Sequence, residues 1–328
     1  MDFPQSCPSG TTGRVGWWYA DPMPSAVALS SVPLPLVTLV AACIAALASA
    51  GAVFRVRGST AMPAAGWAVA AGLALAAECG RALSAVPADP ATAAQTRLLV
   101  VALAVCPAMS LLGAKRPQHG VWQLIVASLA VVIAMPALSA WLVRPGSLPD
   151  VHVLGRGFLA VLAAVGWLNF LGTRNWLAAT LVTAGLLAVI RPFLPGVTTD
   201  AALPQPAIDA AGAGLIAAGA LLACGRRSFG PAIEQAPPAA MARAIDPPFL
   251  ALRDTLGSAW ALRIAERFDT VAAGRGWPCR LRLQGLEAGG DASDSSWHRD
   301  ALRAFKALMH RFVTDDWLSR HGWEHDHA

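Results

Sequence analysis

Residues 33–54 read PLPLVTLVAACIAALASAGAVF, a run of 22 residues without a charge, closed by Arg55 and Arg57. As a helix rising ~1.5 Å per residue it reaches ~33 Å, enough for a hydrocarbon core of ~30 Å. Outward from this run the pattern recurs. Residues 61–86 are apolar until Glu78 and Arg81. Residues 98–114 form a shorter run with Pro107 near the middle and Lys115-Arg116 at the end. Residues 122–143 carry Trp122 and Trp141 near their ends, as headgroup anchors do, and Pro136 is expected to kink them. Residues 153–172 contain Asn169, residues 176–194 are interrupted by Arg191-Pro192, and residues 208–224 are rich in Ala and Gly and stop at Arg226-Arg227.

These runs predict an all-α polytopic membrane protein, with about seven transmembrane helices between residues 33 and 227. Residues 1–32 read as an extracytoplasmic segment. Within it, Trp17-Trp18-Tyr19 lies either at headgroup level or in solvent. Ala48-Ser49-Ala50 resembles a signal-peptidase site, but the segment before it is long, Pro-rich and carries one Arg. A first transmembrane anchor fits better than a cleaved leader. The run 98–114 decides the count, because without it six crossings remain and both termini share a side.

Of 328 residues, 55% are hydrophobic and 14% charged, against about 25% charged in soluble domains. Residues 1–240 hold 13 of the 25 Lys/Arg and 8 of the 20 Asp/Glu; the last 88 residues hold 12 of each. The chain therefore divides into a long apolar part and a short, charge-balanced one. Between them, residues 228–248 read as a Pro-rich linker in which Pro231, Pro237-Pro238 and Pro247-Pro248 oppose any helix. Residues 249–328 are expected to form a small α+β domain ordered helix–strand–helix. Apolar residues at 249, 252, 256, 260, 264, 268 and 271 step by three and four, Cys279–Leu283 alternates, and Leu302, Phe305, Met309 and Phe312 mark another helix. Residues 289–296 read as an acidic, Ser-containing cap for that helix, and Thr314 as the cap of a short last one.

The net charge of +5 is no nucleic-acid footprint, since the excess sits in the turns between apolar runs. Seven basic residues (Arg55, Arg57, Lys115, Arg116, Arg174, Arg226, Arg227) fall on one side of a seven-span topology and six (Arg14, Arg81, Arg97, Arg144, Arg156, Arg191) on the other. Asp2, Asp21, Glu78, Asp89, Asp150, Asp200 and Asp209 lie on the second side. The positive-inside rule then places the N-terminus outside and the C-terminus in the cytoplasm of a cell-membrane protein. The six cysteines show no C-x-x-C pairing and read as small core residues.

Candidate functional residues are few. Glu78 and Arg81 share a helix face and are expected to pair near the outer interface; the other reading is part of a ligand or ion path. Asn169 is expected to bond another span, and Arg191 to reach headgroups; both are also candidates for that ligand or ion path. Gly212, Gly214 and Gly219, with Ala42, Ala46 and Ala50, suit close helix packing. Arg299, Arg303, Lys306 and His310 fall on one helical stripe, read as a solvated face or as a contact with headgroups or a partner. His321, His325 and His327 are spaced to ligate a metal, though a frayed terminus argues against it. Phosphate-loop, HExxH and GxSxG motifs are missing, and no span pair carries the two histidines of a haem site. No cofactor is implied. The expected function is a non-catalytic multi-span component whose cytoplasmic domain contacts a partner, lipid headgroups or another copy. A transporter or permease-like subunit using Pro-kinked helices is the alternative, and a membrane sensor is third.

Overall fold

The computed structural model describes residues 33–84, 89–113, 119–194, 203–225, 240–288 and 297–323. Among them, six helices are long and apolar enough to cross a membrane. The first is α1 (Leu34–Arg55), and α2 (Met62–Ala82) follows. The third is formed by α3 (Pro90–Ala104) and α4 (Cys106–Leu112) together. The others are α5 (His119–Val143), α7 (Trp176–Ile190) with a 3-10 turn at Arg191–Phe193, and α8 (Gln205–Gly225). Between α5 and α7 lies the shorter apolar helix α6 (Val153–Leu168). The architecture is that of a multi-pass α-helical membrane protein with a small two-stranded sheet at its C-terminal end.

Large apolar side chains cover the outside of the bundle. Leu47, Leu124, Leu142 and Leu154 are 73%, 68%, 73% and 77% exposed. Water penalises such a surface and acyl chains do not. Inside, small residues bring backbones together. A Cβ on Gly72 would stand 3.0 Å from the Ala46 backbone, and one on Gly185 would stand 2.5 Å from the Gly212 carbonyl. A Cβ on Gly219 would stand 2.8 Å from the Ala178 carbonyl. Ala42, Ala46, Gly212 and Gly219 are thus packing residues, whereas Gly214 faces open space.

The expected third run, 98–114, begins too late: its helix starts at Pro90. Asp89 caps it, accepting from the Thr92 N–H at 3.3 Å, and Pro90 occupies the first turn, where no N–H is needed. Hydropathy stops at Arg97, but the helix does not, because Arg97 is paired. The helix breaks at Val105, ahead of Pro107. By contrast α5 runs through Pro136 as one helix.

The C-terminal part is richer than helix–strand–helix. Helix α9 (Ala240–Leu256) runs through Pro247-Pro248, against the expectation of a break there. Ala244, Ile245, Phe249 and Leu252 are buried on either side of the prolines, so packing offsets the lost ladder bonds. The apolar stripe expected over 249–271 is two helices, α9 and α10 (Ser258–Arg275), divided at Gly257, where φ is +94°. The single expected strand is a hairpin: β1 (Cys279–Arg282) pairs antiparallel with β2 (Gly285–Ala288), Cys279 opposite Ala288 and Arg282 opposite Gly285. Then come α11 (His298–Met309) and α12 (Asp315–Arg320). Phe249, Phe268, Leu281, Phe305 and Trp317 form one core with Ala61, against which Val56 and Leu111 also pack. That core joins this domain to the ends of α1, α2 and α4.

Candidate functional site

Three helices each bring one charge to a single point. Glu78 lies one turn before the end of α2, Arg97 two turns into α3, and Asp209 one turn into α8. The Arg97 Nε donates to Glu78 Oε1 at 2.6 Å. Its Nη1 and Nη2 donate to the two oxygens of Asp209 at 2.8 and 2.9 Å, a bidentate fork. The side chains of Glu78, Arg97 and Asp209 are only 12%, 14% and 16% exposed. A charge held inside a membrane costs several kcal/mol unless it is paired, and the pairing here links three helices.

The cluster continues outward. Gln205 Nε2 donates to Asp209 Oδ1 at 2.9 Å, and Arg191 Nη1 donates to Gln205 Oε1 at 3.2 Å. Two carboxylates thus share one guanidinium directly, with Arg191 joined through an amide. Glu78 Oε2 is buried and receives no hydrogen bond, so its lone pairs are available to a proton or another donor. The expected Glu78–Arg81 pair is not formed: Arg97 takes Glu78, and Arg81 is exposed. Arg191 bonds Gln205 instead of only reaching outward. Arg97, Asp209 and Gln205 are the residues that sequence reasoning missed. Their signal was that two acids and one arginine fall at the same end of three runs.

Asn169 belongs to a second locus, at the opposite end of the bundle. It bonds not to another span but to the junction of α9 and α10. Its Nδ2 donates to the Leu256 carbonyl at 2.8 Å, and its Oδ1 accepts from the Ala259 N–H at 3.3 Å. Its backbone carbonyl accepts from the Ser258 N–H at 2.7 Å and hydroxyl at 3.0 Å. Around it, Asn175 Nδ2 donates to the Asp254 carbonyl at 2.8 Å, and the Arg174 N–H donates to the Asp254 carboxylate at 3.2 Å. Buried Arg253 grips the same carboxylate at 2.8 Å and the Leu283 carbonyl at 2.8 Å. Trp260 Nε1 donates to the Leu111 carbonyl at 2.8 Å. Between α1 and α2, the Thr60 N–H donates to the Phe312 carbonyl at 2.9 Å and the Thr314 N–H to the Gly58 carbonyl at 2.8 Å. Three parts of the membrane bundle therefore hold one domain.

The expected basic stripe on α11 is partly neutralised. Lys306 and His310 both reach Asp315 at 3.3 Å, while Arg299 and Arg303 stay exposed, Arg303 3.9 Å from Asp300. His321 lies 3.8 Å from Trp317, ring to ring, with Nδ1 2.7 Å from the Trp317 carbonyl. Burial pulls its pKa below the usual imidazole value. His325 and His327 lie outside the described residues, and among those described no His/Cys/Asp/Glu group is arranged for a metal. The described cysteines (43, 79, 106, 224, 279) are free. In the C-terminal domain, burial pushes the Asp246 carboxyl up to about 6, opposed by the bond it accepts from the Leu286 N–H at 2.7 Å. Burial, reinforced by Asp269, pushes the Cys279 thiol up to about 11. Neither locus presents a nucleophile beside a base.

Comparison with protein-family models, with curated proteins and with solved structures finds no match.

Proposed function

We propose that this chain is a seven-crossing, non-catalytic membrane component that links a charged cluster at the outer end of its bundle to a cytoplasmic domain fixed on the inner end. The exposed face of that domain meets a partner, lipid headgroups or another copy. The observation that carries this reading is the seat: the α1–α2 turn, the end of α4 and the α6–α7 turn all bond to one domain. It also supports the count of seven. Leu111 and Asn169 lie at the domain side, while Ser147, between α5 and α6, accepts from Gln95 Nε2 at 2.9 Å near Arg97, at the other end. A helix α6 that traverses the bundle in 16 residues fits these two ends. The basic residues of the domain-side turns support a cytoplasmic domain.

A linked role suits these contacts better than a permease. Asn169 stands at one end, Glu78 and Arg191 at the other, and Val101, Val126, Leu159, Leu162 and Leu186 pack the bundle interior. The three polar residues share no path. A sensor would not need a rigid helix through residues 228–239, because the domain is held directly by the turns.

The test is hydrogen exchange on the full chain in lipid nanodiscs, comparing wild type with Arg97→Gln. Linkage predicts faster exchange at residues 169–175 and 256–258 as well as around the cluster. Exchange that changes only around Glu78, Arg97 and Asp209 sinks the linked role and leaves the cluster a local brace.

A further inference from the structure

Where α1 ends, a cleft of about 440 Å³ opens between its last turn and α12, lined by Phe54, Arg57, Gly58, Thr314, Asp316 and Arg320. That is within the usual size of small-ligand pockets. We propose that it binds the headgroup of an anionic phospholipid, through a singly charged phosphodiester.

Four features argue for that ligand. Phe54 is 68% exposed and belongs to the last turn of a helix able to cross the membrane, so its ring faces acyl chains. Arg57 follows three residues later, at headgroup depth. Arg320 is fixed beside it: Nη2 donates to the Arg57 carbonyl at 2.5 Å and Nε to the Asp316 carbonyl at 3.1 Å. These bonds set the plane of a guanidinium, the group best shaped for phosphate oxygens. The Thr314 hydroxyl accepts from the Trp317 N–H at 3.3 Å, which leaves its own proton for a ligand oxygen. Two arginines against the Asp316 carboxylate leave one positive charge, matching one phosphodiester and disfavouring a dianion. A zwitterionic headgroup, carrying its own cation, gains less. The proposal rests on α1 crossing the bilayer, and not on the linked role above.

The experiment is native mass spectrometry of the full chain in mild detergent, with equal amounts of phosphatidylglycerol and phosphatidylcholine. Wild type should retain the anionic lipid by ~10-fold or more, and Arg57→Gln should bring the ratio near one. Arg57→Gln leaves in place the bonds that Thr314 and Arg320 make to the 57–58 backbone, so loss of folding is not expected. Arg57→Lys should keep part of the preference, and Arg299→Gln/Arg303→Gln all of it. Equal retention of both lipids by wild type, or an unchanged ratio in Arg57→Gln, overturns the proposal. So does binding of inorganic phosphate that displaces no lipid, which would make the cleft a site for a free anion.

Discussion

Gly257 stands where α9 turns into α10, at φ +94°, and a Cβ there would lie 2.2 Å from Asn169 Nδ2 and 2.5 Å from its carbonyl oxygen. Gly257→Ala therefore meets both an unfavourable backbone region and a backbone neighbour that cannot move aside. The expected cost is about 2 kcal/mol or more. Limited proteolysis in detergent should show earlier cleavage within α9–α10, with the far-UV helix signal of the bundle unchanged. Asp246 gives a pH-dependent result. Its carboxyl titrates near 6 in the fold against 3.8 for the free side chain, so the fold holds the proton more tightly. Its contribution to stability is greatest at low pH and is lost as pH rises from about 4 to about 6. Asp246→Asn keeps an oxygen for the Leu286 N–H and removes the charge. It should stabilise the fold at pH 7.5 by about 1 kcal/mol after allowing for solvent screening, seen as a higher melting temperature, and leave stability unchanged near pH 3.5. Neither position stood out in the sequence. Gly257 interrupts a stripe whose three- and four-residue steps continue in phase across it, and a lone Asp beside two prolines reads as solvated linker.

At the scale of elements, the crossing helices were legible because length without charge is a local property. Their ends and their charges were not, because Arg97 is settled by partners 19 and 112 residues away. A run that hydropathy closes at Arg97 continues to Pro90 once two carboxylates face it. The same reasoning explains why Glu78 was assigned to Arg81: spacing along one helix is visible in a sequence, while a third helix delivering a better-placed guanidinium is not. Arg97→Gln strands two carboxylates among α2, α3 and α8, and should cost about 3–5 kcal/mol in thermal unfolding. The triple variant Arg97→Gln/Glu78→Gln/Asp209→Asn should recover most of that loss, since no unpaired charge remains. A triple variant as unstable as the single one would show that the cluster stabilises by shape and not by charge balance.

For the whole molecule, the two-part division of the charge pattern was legible, but the relation between the parts was not. The Pro-rich run implied a tether, and a tether says nothing about a seat made of backbone carbonyls in three turns. If the domain is cytoplasmic, protease added to sealed inside-out vesicles should reach residues 240–323, and protease added to right-side-out vesicles should not. The opposite pattern would invert the orientation while leaving the seat intact. The bridge between Ser59 and Val313 carries one more implication, for biogenesis. The turn after the first helix is made early, yet its partner at Val313 is made only after all the other crossing helices. A chain halted before residue 312 lacks the partners that Ser59 and Thr60 have in the fold. That contact therefore closes only once every described crossing helix has been made, so the seat cannot form before the bundle does.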